Sequence, residues 1–381
     1  MGCAATACNE PGVLARHGGN RKRDGILQRR SCLAYSLVKS MPRGTATDGN
    51  RKPALGAFAC EPGRNRNSPP GGFEQSVWVQ LAEVKKALVP CLVPETAAAL
   101  IAAAERPILY FGGGVIQSEA AALAVALAEK ASLPTVTTLM ALGAMPCTHP
   151  LLLGMLGQHG APYTNWALEE CDLLMAVGAR FDDRATGKLS SFCPQAKIIH
   201  IDIDPAELNK LKTAHVGIVA DAAEALSRLL PLVPASACAD WLARVAVLKA
   251  LHPQKLPGSD DPRRHYGLIR AVAACLGDDA IVTTDVGQHQ MWTAQAYPLA
   301  RPRQWLTSGG LGTMGFGLPA AIGAALAAPE RTVVCFTGDG SILMNLQELV
   351  TLAELQARVK IVLMNNSALG LVHQQQTLFF G

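Results

Sequence analysis

The stretch that most constrains this chain runs from Thr332 to Asn366 and reads TVVCFTGDGSILMNLQELVTLAELQARVKIVLMNN. TVVCFT has the β-rich, apolar character of a central parallel strand, buried on both faces. MNLQELVTLAEL sets Leu346, Leu349, Val350 and Ala353 at helical spacing, so one stripe is expected to pack on a sheet. VKIVLM reads as a second buried strand. Strand, helix and strand make a right-handed βαβ unit with parallel strands. Asp339 and Asn366 therefore fall just past the carboxyl ends of two parallel strands, on the sheet edge where α/β folds bind ligands.

The residue types at that edge suggest the ligand. A carboxylate, an amide oxygen and backbone carbonyls are hard oxygen donors suited to Mg²⁺ or Ca²⁺, and Mg²⁺ prefers an octahedron completed by phosphate oxygens and water. Gly338 and Gly340 let the backbone approach a phosphate, and a helix amino end beyond Ser341 favours negative charge. Taken singly, GDG is an ordinary tight turn and NN an ordinary strand ending. Paired across one βαβ unit, they point to a diphosphate held through a metal ion.

The rest of the chain divides by composition. Residues 1–72 hold 11 Gly, 6 Pro and 12 Lys+Arg against 4 Asp+Glu, without sustained periodicity. They read as a disordered or non-native leader, with an Arg-rich transit peptide or twin-Arg signal as the alternative. Residues 73–92 are ambiguous, and the irregular leader is set at 1–92. From residue 93 to 231, helix and strand patterns alternate (PETAAALIAAAERP, ILYFGGG, a helix over Ser118–Ala131, PTVTTL, DLLMAVGAR, KIIHIDID, HVGIVAD), which implies an α/β domain with a parallel sheet. Residues 232–263, with a short helix at Ala239–Leu251 and the polar HPQKLPGSDDPRR, read as a linker. A second alternating series fills 264–381 and stops 15 residues after the NN pair, with no closing helix or strand expected there.

The leader's net charge is +8, so the remainder sums to −4 of the overall +4; this argues against nucleic acid as the main partner. No apolar run reaches the ~20 residues of a membrane span. Eleven cysteines show no CxxC pair. Cys171, Cys193, Cys275 and Cys335 lie in or beside apolar runs, as small core residues do, which favours reduced thiols in a cytoplasmic protein over disulfides or a zinc site.

GDG followed some two dozen residues later by NN resembles the thiamine diphosphate motif. TTDVGQHQMWTAQAYPLARPRQWLTSGGLGTMGFGLPAAIGAALA resembles the large catalytic subunit of acetolactate synthase (acetohydroxyacid synthase). NNSALGLVHQQQTLFF is most similar to the enterobacterial isozyme I form of that subunit. LGMLGQHG, GARFDDRATGK and HIDIDPAELNKLK are similar to the same family's central domain, so the likeness covers about residues 94–381. It implies an α/β fold of two domains with parallel sheets, a flavin-type central domain and an incomplete thiamine-diphosphate-binding domain.

Residue by residue, the resemblance implies Mg²⁺ ligands at Asp339, Asn366 and the carbonyl of Ala368. It implies thiamine diphosphate contacts at Gly287, Gln288, His289, Gly312, Gly338, Asp339, Gly340, Ser341, Asn366 and Leu369, with Met314 as the wedge that bends the cofactor. FAD is expected along Gly113, Gly114, Thr138, Leu139, Met140, Gly157, Gln158, His159, Gly178, Arg180, Asp182, Arg184, Asp202, Ile203 and Asp221. Strand-end glycines with Arg and Asp do suit a dinucleotide pyrophosphate, although RFDDR also reads as a loop of self-paired charges. Such a flavin is structural, because the implied reaction has no net redox change. That reaction is decarboxylation of pyruvate and carboligation to a second 2-keto acid, with Gln375, where many relatives carry Trp, implying weak discrimination between acceptors. A homo-oligomer with a small regulatory subunit is the implied assembly.

Two readings compete. Gly310, Gly312 and Gly315 spell GxGxxG, a dinucleotide-dehydrogenase signal that is weak alone. Another thiamine diphosphate enzyme, such as a pyruvate oxidase, or a non-catalytic nucleotide-binding remnant would also fit the motifs. The family's activating Glu comes from an N-terminal domain, and Glu10 and Glu61 sit in Gly/Pro-rich surroundings unlike it. The expectation is therefore a chain truncated at both ends, with no catalytic acid of its own and little activity alone.

Overall fold

A computed structural model describes the backbone of Val13–Arg16 and residues 94–381. The leader's other residues, Glu10 and Glu61 among them, lie outside the described residues. Two parallel sheets organise the rest. The first is built from β2 (Pro107–Phe111), β3 (Thr135–Thr137), β4 (Leu152–Met155), β5 (Leu173–Val177), β6 (Lys197–Asp202) and β7 (Val216–Val219), in the order β4-β3-β2-β5-β6-β7. β2 and β5 are buried along their whole length, as strands covered on both faces must be. Helices Pro94–Ala103, Ala121–Lys130 and Ala222–Leu229 cover one face. Pro162–Glu170 and Ala239–Leu251 cover the other. Trp241, Val245 and Leu248 of the last helix are buried in that core, and Trp241 Nε1 donates to the Pro107 carbonyl at 3.0 Å.

The strand order reverses between β2 and β5, so their carboxyl ends open a crevice at a topological switch point. Gly178 stands there with φ +58°, its Cα against Gly114, and Gly114 N donates to Gly178 O at 3.1 Å. Any side chain at Gly178 would collide with that backbone.

The second sheet contains β8 (Ile281–Thr284), β9 (Trp305–Thr307), β10 (Val333–Gly338) and β11 (Val359–Asn365), in the order β11-β10-β8-β9, all parallel. The short strand β1 (Val13–Arg16), inside the expected leader, extends it by pairing in parallel with Val362–Asn365. Helices His265–Leu276 and Gln288–Ala296 pack on one face and Gly317–Ala327 on the other. Here the order reverses between β8 and β10, giving a second switch point.

Several expectations need correction. The helix foreseen at Ser118–Ala131 is two helices, Gly113–Gln117 and Ala121–Lys130. β4 and β9 had no counterpart among the expected strands. The stripe Leu346, Leu349, Val350, Ala353 does not pack: helix Glu348–Glu354 has no buried residue, and Leu346 and Val350 are exposed. Cys275 is exposed rather than in the core. After the NN pair the chain forms a helix, Gly370–Phe380, where none was expected.

Candidate functional site

At the β8/β10 switch point lies a cavity of about 250 Å³. β8 delivers Val286, Gly287 and Gln288 to it, then His289 and Trp292 on the next helix. β10 delivers Gly338, Asp339, Gly340 and Ser341; β11 delivers Met364, Asn366, Ala368 and Leu369; Gly312 and Met314 arrive on the glycine-rich loop. Every residue assigned above to thiamine diphosphate or Mg²⁺ thus lines one cavity, from Gly287 to Leu369 in the chain. Gln375 does not line it, and is exposed on the helix Gly370–Phe380.

His289 is buried, and its Nε2 has no hydrogen-bond partner. Burial pushes its pKa down to about 4, against the opposing charge of Asp285, so the imidazole is neutral at ordinary pH. The ring fits because its neighbours are glycines: a Cβ on Gly338 would stand 2.9 Å from His289 Nδ1, and one on Gly287 2.7 Å from Cε1. The helical turn Asp339–Ile342 begins at Asp339 itself, with Gly338 as its cap. The helix amino end expected beyond Ser341 is therefore at Gly338, and the Ser341 hydroxyl donates to Val286 O at 2.8 Å.

Among the described residues no cluster of three or more His, Cys, Asp or Glu could hold a metal, and Asp339 is the one carboxylate lining the cavity. A metal here would take the mixed set of a carboxylate, an amide and a carbonyl, which suits a hard cation. Asn366 Oδ1 accepts the Ala368 N–H at 3.2 Å, and its Nδ2 donates to Gln288 Oε1 at 3.2 Å. These bonds hold the amide at the cavity. An ion would compete with the Ala368 N–H for that oxygen. Leu369 lies over Gly340, where an added Cβ would be 2.7 Å from its Cδ2 and 3.8 Å from Met314 Cε.

The residues assigned to FAD are strung along the carboxyl edge of the first sheet. Gly112 and Gly114 meet Gly178 at the β2/β5 switch point, whereas Gly113 faces Met140 instead. Thr138 follows β3, its amide bonded to Phe111 O at 2.9 Å and its buried hydroxyl without a partner. Met140, in the 3₁₀ turn Leu139–Ala141, would meet any side chain at Gly113 or at Gly309, so it lies between the two sheets' loops. Gln158 N donates to Arg184 O at 3.0 Å, which ties Gly157–His159 to the Arg180–Arg184 loop. Burial and Arg184 both lower the His159 pKa. Asp182 and Asp221 cap short helices through Oδ1, a local role that the spacing alone did not separate from ligand binding. Asp202 ends β6, with Ile203 half-exposed beside it. Orphaned Thr138 and the glycine meeting point fit a bound dinucleotide. Arg180 and Arg184 are exposed, as pyrophosphate-seeking groups would be.

Trp292, Val286 and Met364 are cavity residues that motif reading missed. Trp292 sits one helical turn beyond Gln288, a periodicity signal that could have found it.

Two family descriptions fit this chain, one over each of the two sheets. The description "Thiamine pyrophosphate enzyme, central domain" fits residues 94–229, and "Thiamine pyrophosphate enzyme, C-terminal TPP binding domain" fits residues 285–381. The chain belongs to the thiamine pyrophosphate enzymes. Within that family it is 63% identical over 304 residues to the acetolactate synthase isozyme 1 large subunit of Escherichia coli (strain K12), covering 79% of this chain and 54% of that relative. It is 48% identical over 288 residues to the isozyme 2 large subunit of the same organism, covering 75% and 52%. The probable acetolactate synthase large subunit of Methanocaldococcus jannaschii is 47% identical over 294 residues, covering 75% and 50%. This thiamine pyrophosphate enzyme chain spans about half the length of the curated relatives it matches. Among its described residues no helix is long and apolar enough to cross a membrane.

Proposed function

We propose that the chain binds thiamine diphosphate through Mg²⁺ at the second switch point and FAD at the first, and serves the acetolactate synthase reaction in the cytoplasm. The observation that carries this is the single cavity where the GDG turn, the NN pair, the VGQH segment and Met314 converge. Asp339, Asn366 and the Ala368 carbonyl would hold the metal, and Gly338, Gly340 and Ser341 would face the diphosphate. Neutral, unpartnered His289 Nε2 offers a hydrogen bond at the same wall. Met314 and Leu369 would exclude water from the ring system between them. When bound, thiamine diphosphate supplies the nucleophilic carbon and electron sink for decarboxylating a 2-keto acid such as pyruvate and joining it to a second. The protein's part is to orient and desolvate.

Asp339, facing the metal, is the one described carboxylate at the cavity, so the acid that activates the cofactor's other ring is absent from the described residues. The purified chain is therefore expected to bind thiamine diphosphate with Mg²⁺ in calorimetry, and to form little acetolactate from pyruvate. No Mg²⁺-dependent binding would refute the site. Robust turnover by the chain alone would refute the missing acid. The large-subunit relatives suggest a regulatory small subunit and homo-oligomerisation, tested by co-purification and light scattering. Exposed Gln375 leaves acceptor choice loose; strong selectivity between pyruvate and 2-ketobutyrate in competition would contradict this.

A further inference from the structure

The cavity residues arrive on three separate segments: Gly287–His289 after β8, Gly312–Met314 before the helix Gly317–Ala327, and Gly338–Ser341 after β10. One side chain ties all three together. Asp285, completely buried, directly follows β8, and its amide donates to Phe336 O of β10 at 3.0 Å. Its Oδ1 accepts the Gly317 N–H at 2.9 Å, at the foot of the Met314 loop. Its Oδ2 accepts the Thr337 hydroxyl at 2.6 Å, one residue before the GDG turn. A Cβ on Gly317 would stand 2.7 Å from Asp285 N and 3.1 Å from its Cγ, so only glycine lets that helix start come so close.

Among the described residues no cation pairs with this carboxylate, which is held by neutral donors. Burying a polar group is costly unless it is hydrogen-bonded, and an apolar side chain would pack the same space without that cost. What the carboxylate adds is two directed acceptors at fixed angles on one rigid group.

We propose that Asp285 is a positioning residue of this cavity: it fixes the Met314 loop and the GDG turn relative to Gly287–His289, and so keeps the diphosphate-binding wall preformed. This rests on reading the cavity as a thiamine diphosphate–Mg²⁺ site.

The test uses the full chain with two readouts, calorimetric affinity for thiamine diphosphate at saturating Mg²⁺ and amide hydrogen exchange without ligand. Asp285→Ala leaves the Gly317 N–H and Thr337 hydroxyl unpaired. It should weaken binding at least tenfold and speed exchange in 286–289, 312–317 and 338–341 together. Asp285→Asn keeps an acceptor for Gly317 and a donor that the Thr337 hydroxyl can accept, so it should restore the exchange pattern and most of the affinity. Gln304→Leu cuts buried bonds to Ala300 N and Asp278 O at the amino edge of the same sheet; it should lower the unfolding temperature with affinity unchanged. Wild-type affinity and exchange in Asp285→Ala overturn the inference, as does a loss of affinity in Gln304→Leu equal to that in Asp285→Ala. A wild-type chain that binds no thiamine diphosphate overturns the site reading, and the exchange readout then decides the positioning role by itself. Should Asp285→Ala not fold, Thr337→Val removes one of the two bonds and should loosen 338–341; unchanged exchange there overturns the inference.

Discussion

His289 shows how much one residue's surroundings decide. Its ordinary pKa is near 6.5, and burial holds it near 4 in the folded chain. Between those values the unfolded chain takes up a proton that the folded chain refuses, so stability is full above pH 6.5 and falls as pH drops toward 4. The loss is on the order of 3 kcal/mol for this group. His289→Asn should flatten the pH dependence by about that amount, measured as urea unfolding at pH 7.5 and pH 4.5 against wild type. At the other wall, Asp339 is the cavity's carboxylate. Asp339→Ala should weaken Mg²⁺-dependent thiamine diphosphate binding by two orders of magnitude or more, while Mg²⁺-independent stability stays within about 0.5 kcal/mol of wild type. Melting curves with and without the metal and cofactor separate the two effects.

At the scale of elements, the sheet strands with continuous apolar runs were legible, as was the helix at Ala239–Leu251, because each has a length and boundary signal of its own. β4 and β9 were not: LLGM and WLT lack the β-branched run that marks the equally short β3 and β7. The cavity wall was legible for a different reason: Asp339 and Asn366 end adjacent parallel strands, so topology alone puts them on one edge. Asp285 was not, because its task is set by what lies across the fold, Gly317 and Thr337, at 32 and 52 positions away. The helix Ala239–Leu251 carries its own prediction. Trp241→Ala removes a fully packed ring and its bond to Pro107 O, and should cost roughly 3–5 kcal/mol. Affinity for thiamine diphosphate should stay unchanged at temperatures where the variant is folded, since that helix packs on the other sheet.

At the scale of the whole molecule, apolar side chains stand exposed around the second sheet among the described residues. Leu311 is 98% exposed, and Leu343, Met344, Leu378, Phe379 and Phe380 are all more than half exposed. The amphipathic stripe of residues 346–353 has its apolar side in solvent for the same reason, which is why periodicity alone misplaced it. Apolar exposure on this scale binds hydrophobic dyes and promotes self-association. The combined change Leu343→Ser and Phe380→Ser should lower dye fluorescence and the mean particle size in light scattering, with the unfolding midpoint nearly unmoved.

The convergence of three loops on one cavity also sets how long such a chain survives in a cell. None of the loops is held in place by the strand it follows alone, so an occupant that bridges them is worth about 2.7 kcal/mol when its free concentration is a hundred times its dissociation constant. That is close to a hundredfold change in the fraction of chains open to a protease at any instant. Vitamin supply would then be read out as protein half-life: cells starved of thiamine should clear this chain fastest, before any change in its synthesis.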